Sequence, residues 1–376
     1  MILIVSQYKF PEGDAGSVRY YGFARTIKDC LHQDVRVIGY GPITDGWKDY
    51  KGIPYLSLRR KNKWSSYLQF STNLINEIKR CVEVTSIIVG NLDNFSLIRL
   101  KRFCQRSHIR LIDDVVEWYA AEQFSKGKWD YRYIMKNLEN TRIIDKSVSV
   151  ISISTYLYNY FSFRGIRTAY IPNYMVQSEF EECIKQPSDK LFISYAGAPG
   201  KKDSLNMMLE GISLLDESER ARIVFMIMGA SGEQVKTALG NNSLYEKIER
   251  SILTYGRIPR SEVLEKLKKS DFTVLLRSET ARNTKAGFPT KVIESISTGT
   301  PVIMNYTSDL KMYFHDGVDC IQVKEFSAKA LCDALRRALA LSVDKRVAMS
   351  QNAKTLAMQL FNVSSYSDAM KTILGL

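Results

Sequence analysis

Gly287-Phe288-Pro289-Thr290-Lys291-Val292-Ile293-Glu294-Ser295, followed shortly by Gly299-Thr300-Pro301-Val302-Ile303, is the stretch on which the reading turns. It reads as a tight loop feeding a helix start, a carboxylate one turn further on, then a Gly-Thr-Pro turn into a buried strand. A helix N-terminus offers backbone N–H groups and the positive end of a dipole, which suits phosphate. Glu294 is placed to accept hydrogen bonds from sugar or ribose hydroxyls. A diphosphate with sugars on both sides is the chemistry of a nucleotide sugar. The same stretch also describes an ordinary α/β unit, so the rest of the chain has to agree with it.

Working outward, the pattern alternates strand and helix twice. Ile2–Val5, Val35–Tyr40, Thr85–Val89, Ile109–Ile112, Ser149–Ile153 and Arg167–Ile171 read as short buried strands, with helices at Ser17 to Leu31 and Thr155–Phe163. The rhythm restarts with Leu191–Ala196, Arg222–Met228, Ser251–Tyr255, Phe272–Leu276, Pro301–Met304 and Cys320–Val323, with a helix from Asp203 to Leu215. The expectation is α/β: two Rossmann-like doubly wound parallel-sheet domains facing a cleft, with ligands at the carboxyl ends of the strands. Residues 1–176 form the first domain and 177–355 the second. Residues 356–376 are expected as a C-terminal helix packing back on the first, and the polar segment Gln177–Lys190 as the linker.

A chain of 376 residues suits two domains of ordinary size, and 45% hydrophobic with 25% charged residues is a globular composition. The six cysteines (Cys30, Cys81, Cys104, Cys183, Cys320, Cys332) have no metal-type spacing and read as thiols of a reducing compartment. The three histidines are too dispersed for a metal site. Met1-Ile2-Leu3-Ile4-Val5 lacks a basic flank and a cleavage site, so it reads as a first strand. No apolar run reaches the roughly 18–20 residues of a membrane span, so a cytoplasmic location is expected.

The net charge of +13 predicts an anionic partner. Arg59-Arg60-Lys61-Asn62-Lys63-Trp64 and Lys126-Gly127-Lys128-Trp129-Asp130-Tyr131-Arg132-Tyr133 interleave basic groups with aromatics, which suits the headgroup level of an anionic bilayer. Arg59, Arg60, Lys61, Lys63, Trp64, Lys128 and Trp129 are therefore candidates for contact with the inner membrane face or the acceptor; the competing reading is a solvated basic face. Nucleic acid is not expected, for want of any helix-turn-helix, zinc-finger or RNP-like pattern. No G-x-G-x-x-G follows a strand, which argues against a dehydrogenase.

These residues resemble the donor-site signature of retaining family 4 glycosyltransferases of the GT-B fold, in the flavour of bacterial surface-polysaccharide enzymes. Gly287-Phe288 and Glu294 with Gly-Thr-Pro-Val-Ile carry the resemblance. So do Gly13-Asp14-Ala15-Gly16 with Arg19, Val150–Ser154 with Ile171-Pro172-Asn173, Tyr195–Asp203, Tyr255–Pro259, and Asp114–Tyr119. The resemblance implies sugar transfer from a nucleotide sugar, with retention and without cofactor or obligatory metal. It also implies a lipid-linked or oligosaccharide acceptor, and an enzyme peripheral on the inner face of the plasma membrane.

Gly16, Gly197, Lys201, Lys202, Arg257, Ile258, Arg277, Phe288, Pro289, Thr290, Lys291 and Glu294 then become donor-binding candidates. Asp114, Glu117 and Lys202 become catalytic ones, the two acids for acceptor positioning or proton handling. Three departures stand out. The family carries a second glutamate eight positions before Glu294, where this chain has Ala286, an arginine where it has Ala198, and in many relatives a histidine after the strand Ile109–Ile112, which this chain lacks. Ala286 supports an alternative, a catalytically silent GT-B module that binds nucleotide sugar or partner enzymes.

Overall fold

The structure, a computed structural model, describes residues 1–12, 15–42, 44–58, 65–180, 188–197 and 203–376. The chain divides into two compact units. The first comprises Met1–Val176, Ala286–Phe288 and Asn362–Leu376; the second comprises Gln177–Lys285 and Pro289–Phe361.

The first unit is built on an eight-stranded sheet: β1 (Ile2–Lys9), β2 (Val35–Tyr40), β3 (Lys48–Tyr50), β4 (Ile53–Leu58), β5 (Ser86–Gly90), β6 (Arg110–Val115), β7 (Ser149–Ser152) and β8 (Thr168–Tyr170). Their order is β3-β4-β2-β1-β5-β6-β7-β8. β5 is buried along its whole length and β1 over Ile2–Ser6, as helices on both faces of a parallel sheet require. Ile4 pairs with Val37 on one side and Ile88 on the other.

One edge departs from the parallel expectation. β3 and β4 form an antiparallel hairpin in which Tyr50 faces Ile53. Its two turn residues, Lys51 and Gly52, both have positive φ (50° and 81°), the geometry that matches strand twist in a two-residue turn. Polar Lys48-Asp49 hides this edge strand from a search for apolar runs. The helix expected through Leu31 spans Ala15–Arg25 and then widens into a π-helical turn over Thr26–Cys30.

Arg19, on that helix, ties the unit together. Its Nε and Nη2 donate to Asp114 of β6 at 2.8 and 2.7 Å. Nη2 also reaches the Ile171 carbonyl at 2.9 Å, and Nη1 reaches the Pro172 carbonyl and Asn173 Oδ1 at 3.0 and 3.3 Å. All five guanidinium protons thus have acceptors, which a fully buried cation needs. Asn173 in turn donates to the Phe288 carbonyl at 2.8 Å, and Ser154 Oγ donates to the Ala286 carbonyl at 2.9 Å. These bonds hold Ala286–Phe288 in the first unit.

Asn362–Leu376 also belongs here. Thr26 donates to the Val363 carbonyl at 2.9 Å, and the Tyr174 and Tyr366 rings stack with centroids 5.8 Å apart. After Ala286–Phe288 the chain returns to this unit at Asn362. The preceding helix, Val343–Leu360, stays with the second unit, where its Lys354 donates to the Ser297 carbonyl at 2.5 Å.

The second unit carries β9 (Leu191–Ala196), β10 (Ile223–Met228), β11 (Ile252–Thr254), β12 (Phe272–Leu275), β13 (Val302–Met304) and β14 (Cys320–Gln322). They run parallel in the order β11-β10-β9-β12-β13-β14. Its core gathers Ile193, Phe225, Phe272 and Ile303 from the sheet with Leu209 and Leu335 from flanking helices. The chain winds outward from β9 to β11, then returns to place β12 beside β9. That reversal is the switch point at which doubly wound sheets bind ligands.

Replacing Asp114 by Ala strands a buried guanidinium, which typically costs about 3–5 kcal/mol. The expected result is a clear fall in melting temperature, read by differential scanning calorimetry, with no such fall for Glu117→Gln. Equal melting temperatures for Asp114→Ala and the parent chain would refute the structural role given to this pair.

Candidate functional site

In the second unit, every parallel strand ends on the same edge, so the residues just after β9, β10, β11, β12 and β13 gather there. Gly197 follows β9, Gly229 follows β10, Gly256 and Arg257 follow β11, Arg277 follows β12 and Asn305 follows β13. Gly229 donates to the Gly256 carbonyl at 2.6 Å, and Gly256 donates back to Ala230 at 3.0 Å, which stitches two of these loops together. Gly256 takes φ +62°, a left-handed value that glycine adopts without strain.

Asp203 organises the switch point. Its Oδ1 accepts from Arg277 Nε at 2.7 Å, across the β9–β12 reversal. Its Oδ2 pairs with Lys291 Nζ and accepts from Tyr195 OH at 3.3 Å. Lys291 Nζ also lies 4.7 Å from the centre of the Tyr195 ring. A Cβ on Gly197 would fall on Lys291 Nζ, so a side chain there would make that ammonium shift.

Burial by itself would raise the Asp203 carboxyl, but Arg277 and Lys291 outweigh it and hold the group well below the usual carboxylate range. Burial and then the Asp203 charge push the Tyr195 hydroxyl up, so it stays a neutral donor. Two cations against one carboxylate leave one net positive charge here. The Arg277 backbone is fixed by Asn305, which accepts from the Arg277 N–H at 3.0 Å and donates to its carbonyl at 2.8 Å.

Lys291 stands on the first turn of the helix Thr290–Ser297, which Pro289 precedes. A cation there opposes the helix dipole. Asp203 supplies the countercharge that keeps it in place. One turn on, Glu294 Oε1 accepts from Arg260 Nε at 2.8 Å, a partner that opens the helix Arg260–Lys269.

The donor candidates thus separate into groups. Arg277 and Lys291 meet at Asp203, and Gly197 makes the space beside them. Glu294 is paired with Arg260. Arg257 is exposed and Ile258 half-buried on the loop after β11. Phe288 and Pro289 are buried, and the Phe288 carbonyl is already taken by Asn173. Gly16 lies in the first turn of its helix, where a Cβ would run into the Tyr8 ring, so packing explains that glycine. Lys201, Lys202, Arg59, Arg60, Lys61, Lys63 and Trp64 lie outside the described residues.

The acidic candidates of the first unit fare differently from expectation. Asp114 is buried and engaged at both oxygens by Arg19, which gives it a structural role in this unit. Glu117 follows β6, half-buried, and bonds to the Tyr119 hydroxyl, which burial and then that acid push up to about 12. Neighbouring Asp113 is buried, and burial together with Glu139 pushes its carboxyl well above the usual range. Lys136 sits by these acids, 2.5 Å from Glu139; burial opposes its charge, but Glu139 and Asp113 keep the ammonium above its ordinary value.

Asp203, Tyr195, Arg260 and Asn305 are the site residues that sequence reasoning missed. Asp203 closes the quoted stretch Tyr195–Asp203 and reads in the sequence only as the start of a helix. Among the described residues, no cluster of three His, Cys, Asp or Glu side chains could hold a metal ion, and no helix is long and apolar enough to cross a membrane.

Comparison with known proteins bears on the fold and on the family of the second unit. Residues 176–356 match the family described as Glycosyl transferases group 1. No curated protein sequence matches the chain. Three solved structures share its architecture at low identity. Sucrose-phosphate synthase from Thermosynechococcus elongatus has a TM-score of 0.74 at 13% identity, covering 99% of this chain and 96% of that one. HepE from Anabaena, solved with UDP and glucose, has 0.68 at 14%, covering 100% and 99%. WaaG, a glycosyltransferase involved in lipopolysaccharide biosynthesis, has 0.69 at 16%, covering all of both chains. The shared architecture is the GT-B fold, and the family match falls on the second unit.

The depressed Asp203 carboxyl fixes the sign of a pH effect. A group whose folded-state pKa is lowered contributes stability above its unfolded value, near 3.9, and loses it as pH falls through the folded value. The stability gap between the parent chain and Asp203→Asn, read by urea unfolding, is expected to stay flat from neutrality to about pH 5 and to close below about pH 4. A gap that stays constant into the acid range would remove Asp203 from the ion triad.

Proposed function

We propose that the chain transfers a sugar, with retention at the anomeric carbon, from a nucleoside diphosphate sugar to a lipid-linked or oligosaccharide acceptor. The setting of this reading is family 4-type synthesis of a bacterial surface polysaccharide (capsule, lipopolysaccharide or exopolysaccharide), at the inner face of the plasma membrane. The observation that carries it is the Asp203-held pair of Arg277 and Lys291, at the switch point of the unit that matches group 1 transferases.

In this reading the second unit holds the donor and the first receives the acceptor. A diphosphate is the anion best suited to two cations that share one carboxylate at a helix start. As the bond to the anomeric carbon breaks, negative charge grows on the departing phosphate. Lys291, Arg277 and the dipole of the helix Thr290–Ser297 stabilise that charge where it develops, without a metal. Glu294 receives the ribose hydroxyls through a carboxylate whose direction Arg260 sets. Uridine is the proposed base, by analogy with HepE, which was solved with UDP.

Ala286 supports a second reading, a silent GT-B module that binds the donor or partner enzymes without transferring the sugar. Its side chain is fully buried where relatives of this type carry an acid. Release of UDP from UDP-sugar, in the presence of lipid extract as acceptor, separates the two readings; donor binding with no release selects the silent module.

Thermal melts with UDP, GDP, dTDP and ADP are expected to show a shift with UDP. A ligand at a hundred times its dissociation constant adds about 2.7 kcal/mol of stability. No shift with any nucleotide would sink the donor-site assignment. Glu294→Ala is expected to weaken donor use at least tenfold, the loss of a charged hydrogen bond worth about 1.5–3 kcal/mol. Its melting temperature should hardly move, because the partner Arg260 is exposed. Unchanged kcat/KM in this variant would exclude Glu294 from the site.

A further inference from the structure

Glu279 lies two residues beyond Arg277 on the loop that leaves β12, at the edge where Arg277 and Lys291 meet Asp203. Its Oε1 accepts from Asn305 Nδ2 at 3.0 Å, and among the described residues no cation is bridged to it. The carboxylate is thus oriented by a neutral amide, which leaves its negative charge for a ligand to meet. Glu279 is also exposed, so acceptor sites on the carboxylate stay open.

Asn305 is the buried hub of this arrangement. The amide that holds Glu279 also accepts from the Arg277 N–H and donates to the Arg277 carbonyl. One side chain at the end of β13 therefore fixes the backbone of the cation and the head group of the acid in a single frame. The Ser278 and Thr280 hydroxyls, 3.2 Å apart, close the loop across Glu279. Two residues of chain span at most about 7 Å, which keeps the acid near the cation. Stability does not explain it, since an exposed loop acid usually contributes little and Asn305 already secures the loop at Arg277.

We infer that Glu279 selects the transferred sugar: it accepts hydrogen bonds from the hydroxyls of a neutral sugar and turns away donors whose sugar carries a carboxylate. This rests on the donor reading given above, in which Arg277 and Lys291 take the diphosphate and the sugar extends from it. Sugar hydroxyls are donors, and a charged oxygen receives them more strongly than a neutral one. A uronate brought to the same place meets a like charge, which penalises the wrong ligand without any new contact to the right one. The edge thereby divides its ligand, with two cations for the diphosphate and one acid for the neutral ring.

Isothermal titration calorimetry of the full chain tests this with UDP, with three neutral donors (UDP-glucose, UDP-galactose and UDP-N-acetylglucosamine) and with UDP-glucuronate. The parent chain is expected to bind its preferred neutral donor about tenfold or more tighter than UDP-glucuronate. Glu279→Gln should bring the two to within about twofold of each other, because the amide lifts the repulsion and keeps an acceptor. Glu279→Ala should weaken the neutral donor about tenfold, the loss of a charged hydrogen bond, and leave UDP itself unchanged. Both variants should melt with the parent chain, because the residue is exposed.

A parent chain that prefers UDP-glucuronate would overturn the inference, as would a ratio that Glu279→Gln leaves unmoved. Equal weakening of UDP and of the neutral donor in Glu279→Ala would overturn it too, and would mark the acid as a support for Arg277. If the parent chain binds UDP, any of these results rejects the role of Glu279 and leaves the donor site standing. If the parent chain binds no uridine nucleotide, the uridine donor site is rejected and the inference with it.

Discussion

A buried guanidinium can persist only where each of its five protons meets an acceptor, and Arg19 imposes that requirement on the whole first unit. Its partners come from the end of β6 and from the segment that leaves β8, and the chain must arrive at those places in register. Asn173 transmits the constraint further, since the same side chain that accepts from Arg19 donates to the Phe288 carbonyl. The loop with the most suggestive sequence is thereby fixed by a hydrogen-bond chain that starts on the first helix. A lysine at position 19 could not satisfy five acceptors with three protons.

The second unit solves a different electrostatic problem. A parallel sheet with helices on its faces points helix N-termini and loop N–H groups at one edge, and that edge attracts anions. Lys291 and Arg277 add formal charge to an already positive place, which is unfavourable without a countercharge. Asp203 provides it, short of full neutralisation. The balance leaves the two cations fixed in direction by a single shared carboxylate.

The helix Tyr131–Leu138 of the first unit shows how exposed apolar side chains are kept on a folded protein without collapse. Trp118, Asn137, Lys136 and Glu139 give the helix polar attachments on its inner side, so its position does not depend on burying Tyr131, Ile134 or Leu138. Trp129, on the turn that opens at Gly127 with φ +54°, is exposed.

Much of this was written in local sequence. Apolar runs such as Ile2–Val5 and Phe272–Leu275 declare buried parallel strands by composition, and glycines, prolines and caps mark where they stop. The doubly wound class, the second restart at Leu191 and the basic aromatic stretch at Lys126–Tyr133 were legible for that reason. The edge hairpin of Lys48–Tyr50 and Ile53–Leu58 was not, because its first strand is short and polar and its second carries a proline, Pro54.

The pairing of charges lay beyond local reading altogether. Asp203 meets Arg277 and Lys291 across separations of 74 and 88 residues, and Arg19 meets Asp114 across 95. Nothing near Asp114 distinguishes an acid for proton transfer from one locked to an arginine. Composition and periodicity determine which segments become strands and helices, because those depend on neighbours in the chain. The role of each carboxylate was decided only when the sheet order brought a distant cation to it, since Coulomb energy depends on distance in space and on burial, neither of which a residue carries in its own identity.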